Sequence, residues 1–172
     1  MAKINPVPDF EAMARNIMKD LPEKASQQGK NFFQGSFIKE GFTDSSFIAW
    51  PKRMDDMRHK LLSQSLALRA SIRIDQADMN RVQISAGRNL PYAAIHNEGG
   101  TITVTVTDKM RRYFWAMYYR TGQDRYRGMA LTKKNKFTIR IPKRQYIGES
   151  HTLMQGIERT FVDQIKQAQK KL

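Results

Sequence analysis

One short segment, residues 91–100 (PYAAIHNEGG), holds residue types from which a catalytic site could be built. His96 and Glu98 are separated by one residue, which is the spacing of the His-x-Glu motif in zinc-dependent deaminases. Those sites also need cysteine ligands, and the chain has no cysteine. Zinc-binding histidines on a helix stand four residues apart, whereas His59 and His151 are isolated in the sequence.

Other motifs that carry chemistry are also missing from the sequence. There is no Gly-x-Ser-x-Gly nucleophile elbow, no phosphate-binding P-loop and no dinucleotide fingerprint. We therefore expect no enzyme, no catalytic residue, no metal ligand and no cofactor. An enzyme that used His96 and Glu98 would lose activity in His96→Ala with folding intact, whereas a scaffold role for His96 predicts lost stability or assembly.

The same segment also fits a structural corner. Pro91 suits the first position of a short helix, and Gly99 can adopt the left-handed conformation that ends one. Gly100 then permits a tight turn into the next strand. His96 and Asn97 would lie near the end of this helix, where either side chain could bond free carbonyls or hold a neighbouring loop. The segment therefore predicts a helix, a glycine stop and a strand.

Four segments have the alternating apolar pattern of half-buried strands. The clearest is TITVTVT, in which Ile102, Val104 and Val106 would point inward. The first two segments are separated by about six residues, which suits an antiparallel hairpin. The four segments are residues 69–75, 81–86, 101–107 and 137–141.

The remaining periodic segments predict helices. A long N-terminal helix should begin after the N-cap Asp9, with an apolar stripe from Phe10 to Leu21. Pro22 should break or kink it, or begin a second helix, and the continuation over residues 25–33 is weaker. Residues 33–53 lose the pattern, so we expect an irregular segment there. Its predicted anchors are Phe37, Phe42, Phe47 and Trp50.

Three more helices complete the prediction. A short helix is expected over residues 57–66, and a central aromatic helix over residues 109–120, capped by Asp108. The last helix is capped by Ser150 and has an apolar stripe that continues to Leu172. These patterns predict an α+β fold, in which a small, mostly antiparallel sheet of about four strands packs against the long N-terminal, central aromatic and C-terminal helices. The predicted organisation is an N-terminal helical and irregular arm, residues 1–56, and a core, residues 57–172, within one domain overall.

The net charge of +14 and the pI near 10.2 favour an acidic partner or nucleic acid. Residues 109–144 contain twelve basic residues and one acidic residue, Asp124. We expect the connection from Arg125 to Lys136 to be a basic loop that becomes ordered only on assembly. The interleaved tyrosines suit either base stacking or burial beneath arginines that reach outward. The candidate residues for contact with DNA or an acidic partner are Arg111, Arg112, Arg120, Arg125, Arg127, Lys133, Lys134 and Lys136.

Neither a membrane span nor a secretion signal is evident. No run approaches the roughly 18 apolar residues of a membrane helix, and the N-terminus lacks the apolar core of a signal peptide. The absence of cysteine fits a reducing compartment. We expect an intracellular, soluble protein with no membrane contact.

Two motifs resemble the phage virion morphogenesis family, which includes the Mu-type tail completion proteins and is related to tailed-phage neck proteins. LPYAAIHNEGGTI is similar to the family's Tyr-Ala-x-x-His-x-x-Gly-Gly pattern. IPKRQYIGES is similar to its Pro-x-Arg-x-aromatic-aliphatic-Gly turn, with Tyr146 where phenylalanine is commoner. LLSQSLALRASIRI also resembles a family segment, although Ala67 replaces an expected glycine. The resemblance covers residues 57–172, and its structural motif residues are Pro91, Tyr92, Ala93, His96, Asn97, Gly99, Gly100, Pro142, Arg144, Tyr146, Ile147 and Gly148.

The resemblance implies a structural virion protein, not an enzyme, that acts in tail completion or head–tail joining. Its implied partners are other virion proteins, namely the neck or connector, the tail terminator or the tail tube. It implies a homo-oligomeric ring around the DNA channel, with a hexamer as one stoichiometry and with non-specific contact to packaged DNA. The implied location is the head–tail junction of the virion, and the host cytoplasm during assembly. The alternative is a stand-alone basic nucleic-acid-binding protein.

Overall fold

The computed structural model describes residues 9–53 and 59–170. The predicted domain boundary between residues 56 and 57, and the start of the helix predicted from residue 57, lie outside these residues. The elements in chain order are α1 (Phe10–Lys39), β1 (Gly41–Thr43), β2 (Phe47–Ala49), α2 (Ala67–Ala70), β3 (Arg73–Ala77), β4 (Val82–Ser85), α3 (Ala93–Glu98), β5 (Gly100–Thr105), α4 (Asp108–Thr121), α5 (Asp124–Ala130), β6 (Lys136–Ile141) and α6 (His151–Gln169).

The α+β class and the long N-terminal helix are confirmed. The strands, however, form three antiparallel two-stranded ladders, β1–β2, β3–β4 and β5–β6, and not one sheet. The predicted hairpin is β3–β4, and its turn is held by Asp78, whose carboxylate accepts bonds from the backbone N–H groups of Asn80 and Arg81. Alternation predicts which residues share a face but not which strands become neighbours, because pairing depends on contacts distant in sequence.

Helix α1 begins where the sequence predicts. The Asp9 side chain accepts a hydrogen bond from the Ala12 N–H at 2.8 Å, as an N-cap does. The predicted break at Pro22 is wrong, because α1 runs through this residue to Lys39. The buried face starts at Pro22 and continues to Phe37, so the C-terminal half of α1, and not the predicted N-terminal stripe, enters the core.

An aromatic cluster forms that core. Phe37, Phe42 and Trp50 are buried, as predicted for anchors, whereas the fourth predicted anchor, Phe47, is exposed. The Phe37 ring packs edge-on against Trp50, with centroids 5.6 Å apart. The segment expected to be irregular therefore contains the last turns of α1 and the β1–β2 hairpin, which fold its aromatics inward.

The helix predicted over residues 57–66 is wrong for its described part. Residues 59–66 form turns and bends, and a four-residue helix, α2, follows. Leu66 adopts a left-handed backbone conformation, with φ 56°, which a continuous helix does not allow. This segment still contributes Leu61 to the core, and Leu68 and Ile72 follow it there.

The chain divides into two compact units. The main unit comprises Met1–Glu98 and Lys143–Leu172, and the inserted unit comprises Gly99–Pro142. The core described above belongs wholly to the main unit. Helix α6 also belongs to it, and the predicted cap is confirmed, since Ser150 Oγ accepts a bond from the Leu153 N–H at 3.1 Å.

The inserted unit consists of the β5–β6 ladder with α4 and α5. The predicted inward residues of β5 are not buried, and Ile102 is exposed. Helix α4 is capped by Thr107 and not by Asp108, which becomes its first residue. The expected basic loop is wrong for residues 125–130, because these belong to α5. Arg111 of α4 stabilises the end of α5 and the residues after it, since its guanidinium donates hydrogen bonds to the carbonyls of Ala130 and Thr132.

Candidate functional site

Helix α3 carries the first motif and ends as the sequence predicts. Gly99 follows it with φ 76°, in the left-handed region, so the predicted glycine stop is confirmed. The predicted helix start is early by two residues, since α3 begins at Ala93 and not at Pro91. A turn precedes it, in which the Ala93 N–H donates to the Leu90 carbonyl at 3.0 Å.

Asn97 joins the first motif to the second. Its side-chain oxygen Oδ1 accepts bonds from the backbone N–H groups of Tyr146, at 3.0 Å, and Ile147, at 3.2 Å. The Tyr146 hydroxyl in turn donates to the carbonyl of Ala93 at 3.1 Å. One amide oxygen therefore fixes a turn that lies 49 residues further along the chain. We call the contact between residues 93–97 and 144–147 the motif latch.

Arg144 adds backbone and side-chain bonds to the motif latch. Its N–H donates to the carbonyl of His96 at 2.8 Å. Its Nε and Nη2 both donate to the carbonyl of Pro51, at 3.1 and 3.0 Å. The neighbouring Trp50 indole Nε1 donates to the carbonyl of Gln145 at 2.6 Å. The second motif is therefore held from α3 and from the segment that follows β2.

Tyr146 connects the motif latch to the core. Its side chain is buried, with 2% exposed, and its ring packs against Phe37 with centroids 5.2 Å apart. Burial raises the pKa of Tyr146 to about 12, with smaller contributions from the charges of Glu98 and Tyr92. The hydroxyl therefore stays protonated and keeps its bond to α3.

His96 has an environment different from that of a catalytic base. Its ring packs edge-on against Tyr92, with centroids 5.9 Å apart. Nδ1 is buried without a hydrogen-bond partner among the described residues. Burial, and then the charge of Arg144, lower the pKa of His96, so the imidazole is neutral at neutral pH. Glu98 is exposed and lies roughly 200° around the helix from His96, too far round to form an acid–base pair with it.

An open cleft of about 480 Å³ adjoins His96. Its polar wall includes Arg53, His59 and Arg144. The Arg53 guanidinium lies 3.2 Å from the His59 ring nitrogen Nδ1 and donates to the carbonyl of Lys60. The cleft is therefore cationic, and its charged groups already hold local structure.

The remaining predicted motif residues lie at the ends of neighbouring segments. Gly100 is the first residue of β5 and pairs with Ile141, which directly precedes Pro142. Gly148 lies two residues before Ser150, the N-cap of α6. The structure thus brings Asn97, Arg144 and Tyr146 into the motif latch, whereas Gly100 and Pro142 belong to the inserted unit.

Sequence reasoning missed Gly87. Its φ is 82°, and a Cβ at this position would lie 2.2 Å from the Cβ of Ala93. Its N–H donates to Ser71 Oγ at 2.8 Å. Glycine is therefore needed where the end of the β3–β4 hairpin passes α3. The sequence signal that could have indicated this close approach is Gly87 itself, four residues before Pro91 of the first motif.

The candidate contact residues lie in the inserted unit, and most of them are exposed. Arg111 is the exception, since it is half-buried and bonded to two carbonyls as a structural residue. Arg125 lies over the Tyr126 ring, 4.9 Å from its centroid. The exposed members are Arg112, Arg120, Arg125, Arg127, Lys133, Lys134 and Lys136.

Aromatic side chains accompany these charges. Helix α4 contains no buried residue. The Trp115 and Tyr119 rings stack with centroids 5.9 Å apart, and Tyr119 is 79% exposed. The inserted unit carries ten basic and two acidic residues, whereas the rest of the chain carries 20 and 14. A net charge of +8 therefore accompanies an exposed aromatic surface.

Within the described ranges, no cluster of three or more His, Asp or Glu residues is placed to hold a metal ion. No helix in that part of the chain is long and apolar enough to cross a membrane.

Comparison with known proteins gives one match. The model of the phage virion morphogenesis family matches residues 5–166, which is nearly the whole chain and includes both motifs of the latch. No curated protein and no solved structure matches.

Proposed function

The chain belongs to the phage virion morphogenesis family, and from this premise we propose that it is a tail completion or head–tail joining protein. The family makes it a phage protein of virion assembly that associates with other virion proteins. In the proposal it forms a homo-oligomeric ring around the DNA channel, a hexamer being one candidate, at the head–tail junction. It would reach this place from the host cytoplasm during assembly.

The observation that carries the proposal is the family match over residues 5–166, together with the contact between the two motifs. The polar side chains of the motif latch form hydrogen bonds with backbone groups of the same chain, as is typical of a structural scaffold. His96 lacks an acid–base partner in Glu98, which favours a structural role over an enzymatic one.

The partner surface in this proposal is the inserted unit. Its exposed arginines and lysines would meet an acidic face of a neck, tail terminator or tail tube protein, or the packaged DNA. Its exposed tyrosines supply apolar contact area at low entropic cost, as interface aromatics do. The combination of charge and aromatic surface supports a docking role for this unit.

The test is complementation of a phage with a nonsense mutation in this gene. Without the protein, we expect filled heads and separate tails in electron micrographs, and supply of the wild-type protein in trans should restore joined particles. Arg112→Glu with Arg127→Glu should fail to complement, while His96→Gln should still complement if it folds. Normal infectious particles in the absence of the protein would refute the proposed function.

A second function, stand-alone nucleic-acid binding, is favoured by the +8 charge of the inserted unit. It predicts submicromolar affinity for random duplex DNA at physiological salt, with a steep decrease as salt rises. Replacement of Lys133 and Lys134 by alanine should then reduce both affinity and salt dependence. If DNA binding is weak at physiological salt and the complementation test shows defective particle assembly, stand-alone nucleic-acid binding is refuted and the head–tail joining role is retained.

A further inference from the structure

The paired ends of α1 and α6 form a second exposed apolar surface, remote in sequence from the inserted unit. We define the helical arm as residues 10–24 of α1 and residues 154–169 of α6. The two helices face each other here, since residues of both line a shared groove. Next to the arm, Thr160 donates to the side chain of Gln28 at 3.0 Å. Within the arm, all of which is described, Pro22 is the one buried residue.

Apolar side chains lie on the outer faces of both helices. In α1, Phe10, Ala14 and Met18 recur every four residues and are exposed. In α6, Met154 and Phe161 are one heptad apart and are also exposed. Two helices without a third layer cannot cover stripes on their outer faces, and helix ends without tertiary packing are marginal in water.

The groove between the helices carries an additional polar signal. It has a volume of about 320 Å³, with Ile17 and Ala168 among its lining residues. The Gln164 side chain also lines it, and its Nε2 is buried without a hydrogen-bond partner in the described chain. Buried donors are normally paired, so the packing between the two helices is incomplete at this groove.

The net charge of the helical arm favours a second copy of this chain as the partner that covers the stripes. The helical arm carries five acidic and five basic residues, so its net charge is zero. Two copies of the arm therefore do not repel each other, and oppositely charged side chains such as Glu158 and Lys166 can pair between them. Two inserted units at +8 each would repel strongly, which makes that surface suitable for an acidic partner and unsuitable for self-association.

We propose that the helical arm docks against the helical arm of a second copy of this chain. This contact covers the exposed apolar stripes of both helices. It assigns self-association to α1 and α6 and leaves the inserted unit, which contains α4, for other partners. The proposal rests on the proposed assembly role in naming the contact between subunits of the ring.

The test is sedimentation velocity on the full-length protein and its variants. Wild type should self-associate, and Phe161→Glu or Met18→Glu should raise the dissociation constant by about tenfold or more, as for a central interface residue. Tyr119→Glu is the matched control, because it places the same charge on the other exposed apolar surface and should leave association unchanged. Association lost in Tyr119→Glu and kept in both arm variants would overturn the inference, as would a wild type that stays monomeric.

Cross-linking gives a second measurement, for which no charged side chain has to be placed in the interface. The chain has no native cysteine, so a single introduced cysteine reacts alone. Phe161→Cys mixed with Met18→Cys should give covalent dimers with a short bismaleimide, whereas Tyr119→Cys should not. Absence of dimers from the arm variants would overturn the inference, while the complementation test of the proposed function would be unaffected by that result.

Discussion

The core of the main unit and the inserted unit use aromatic residues in opposite ways. In the main unit, Phe37, Trp50 and Tyr146 pack in a buried cluster. In the inserted unit, the described residues include one buried side chain, Ala130, while Tyr113 and Tyr119 are exposed. The inserted unit nevertheless holds seven of the 17 aromatic residues of the chain. Aromatic content therefore does not identify a core, because burial needs a second layer of structure to pack against.

The largest expected difference between the units concerns two tyrosines. Tyr146→Ala should lower the free energy of unfolding by about 3–5 kcal/mol, because it leaves a cavity against Phe37 and removes the bond to Ala93. Tyr119→Ala should change it by less than about 0.5 kcal/mol, since that side chain is exposed. Urea titrations followed by circular dichroism measure both. Equal destabilisation by the two changes would mean that the comparison between the units is wrong.

Asn97 tests whether the motif latch acts through its acceptor oxygen. Asn97→Ala should cost about 1–3 kcal/mol, because it leaves the N–H groups of Tyr146 and Ile147 unpaired. Asn97→Asp keeps an acceptor oxygen at the same position and should retain most of the stability at neutral pH. The same urea titration measures both variants. If aspartate is as harmful as alanine, the acceptor is not what holds the second motif.

The smallest expected effect is a pH response confined to the main unit, since the inserted unit contains no histidine. The folded-state pKa of His96 lies below its ordinary value of 6.5, so the unfolded chain binds the proton more readily. Stability should therefore be complete above pH 6.5 and decrease as the pH falls through that value. His96→Gln should flatten this slope in melting curves recorded from pH 7.5 to 5. A slope that is unchanged in the variant would contradict a buried, neutral His96.

The features that the sequence predicts correctly are local ones. Asp9 and Ser150 cap their helices, and Gly99 ends α3, because each needs only its immediate neighbours. The prediction that His96 or Asn97 holds a neighbouring loop is confirmed for Asn97, although the sequence could not show that this loop is the second motif. That pairing spans 49 residues, and no short-range pattern encodes it.

The sequence predicts less well which side chains are buried, because burial depends on what packs against each face of a helix or strand. The stripe from Phe10 to Leu21 has helical spacing, yet the core covers α1 only from Pro22 onward. Ile102 alternates as an inward residue should, but it is exposed in a ladder of two strands. Periodicity correctly identified an apolar face in both cases and could not show what, if anything, would pack on it.

The motif latch has a consequence for chain topology. By tying Asn97 to Tyr146, it closes the intervening segment into a loop whose two ends are both held within the main unit. The entropy of loop closure grows slowly with length, so doubling such a loop costs only about 0.6 kcal/mol. Insertions, deletions or replacement of residues 101–141 should therefore leave the core nearly as stable as before. Replacement of this loop would then change the surface that it presents while keeping the same core.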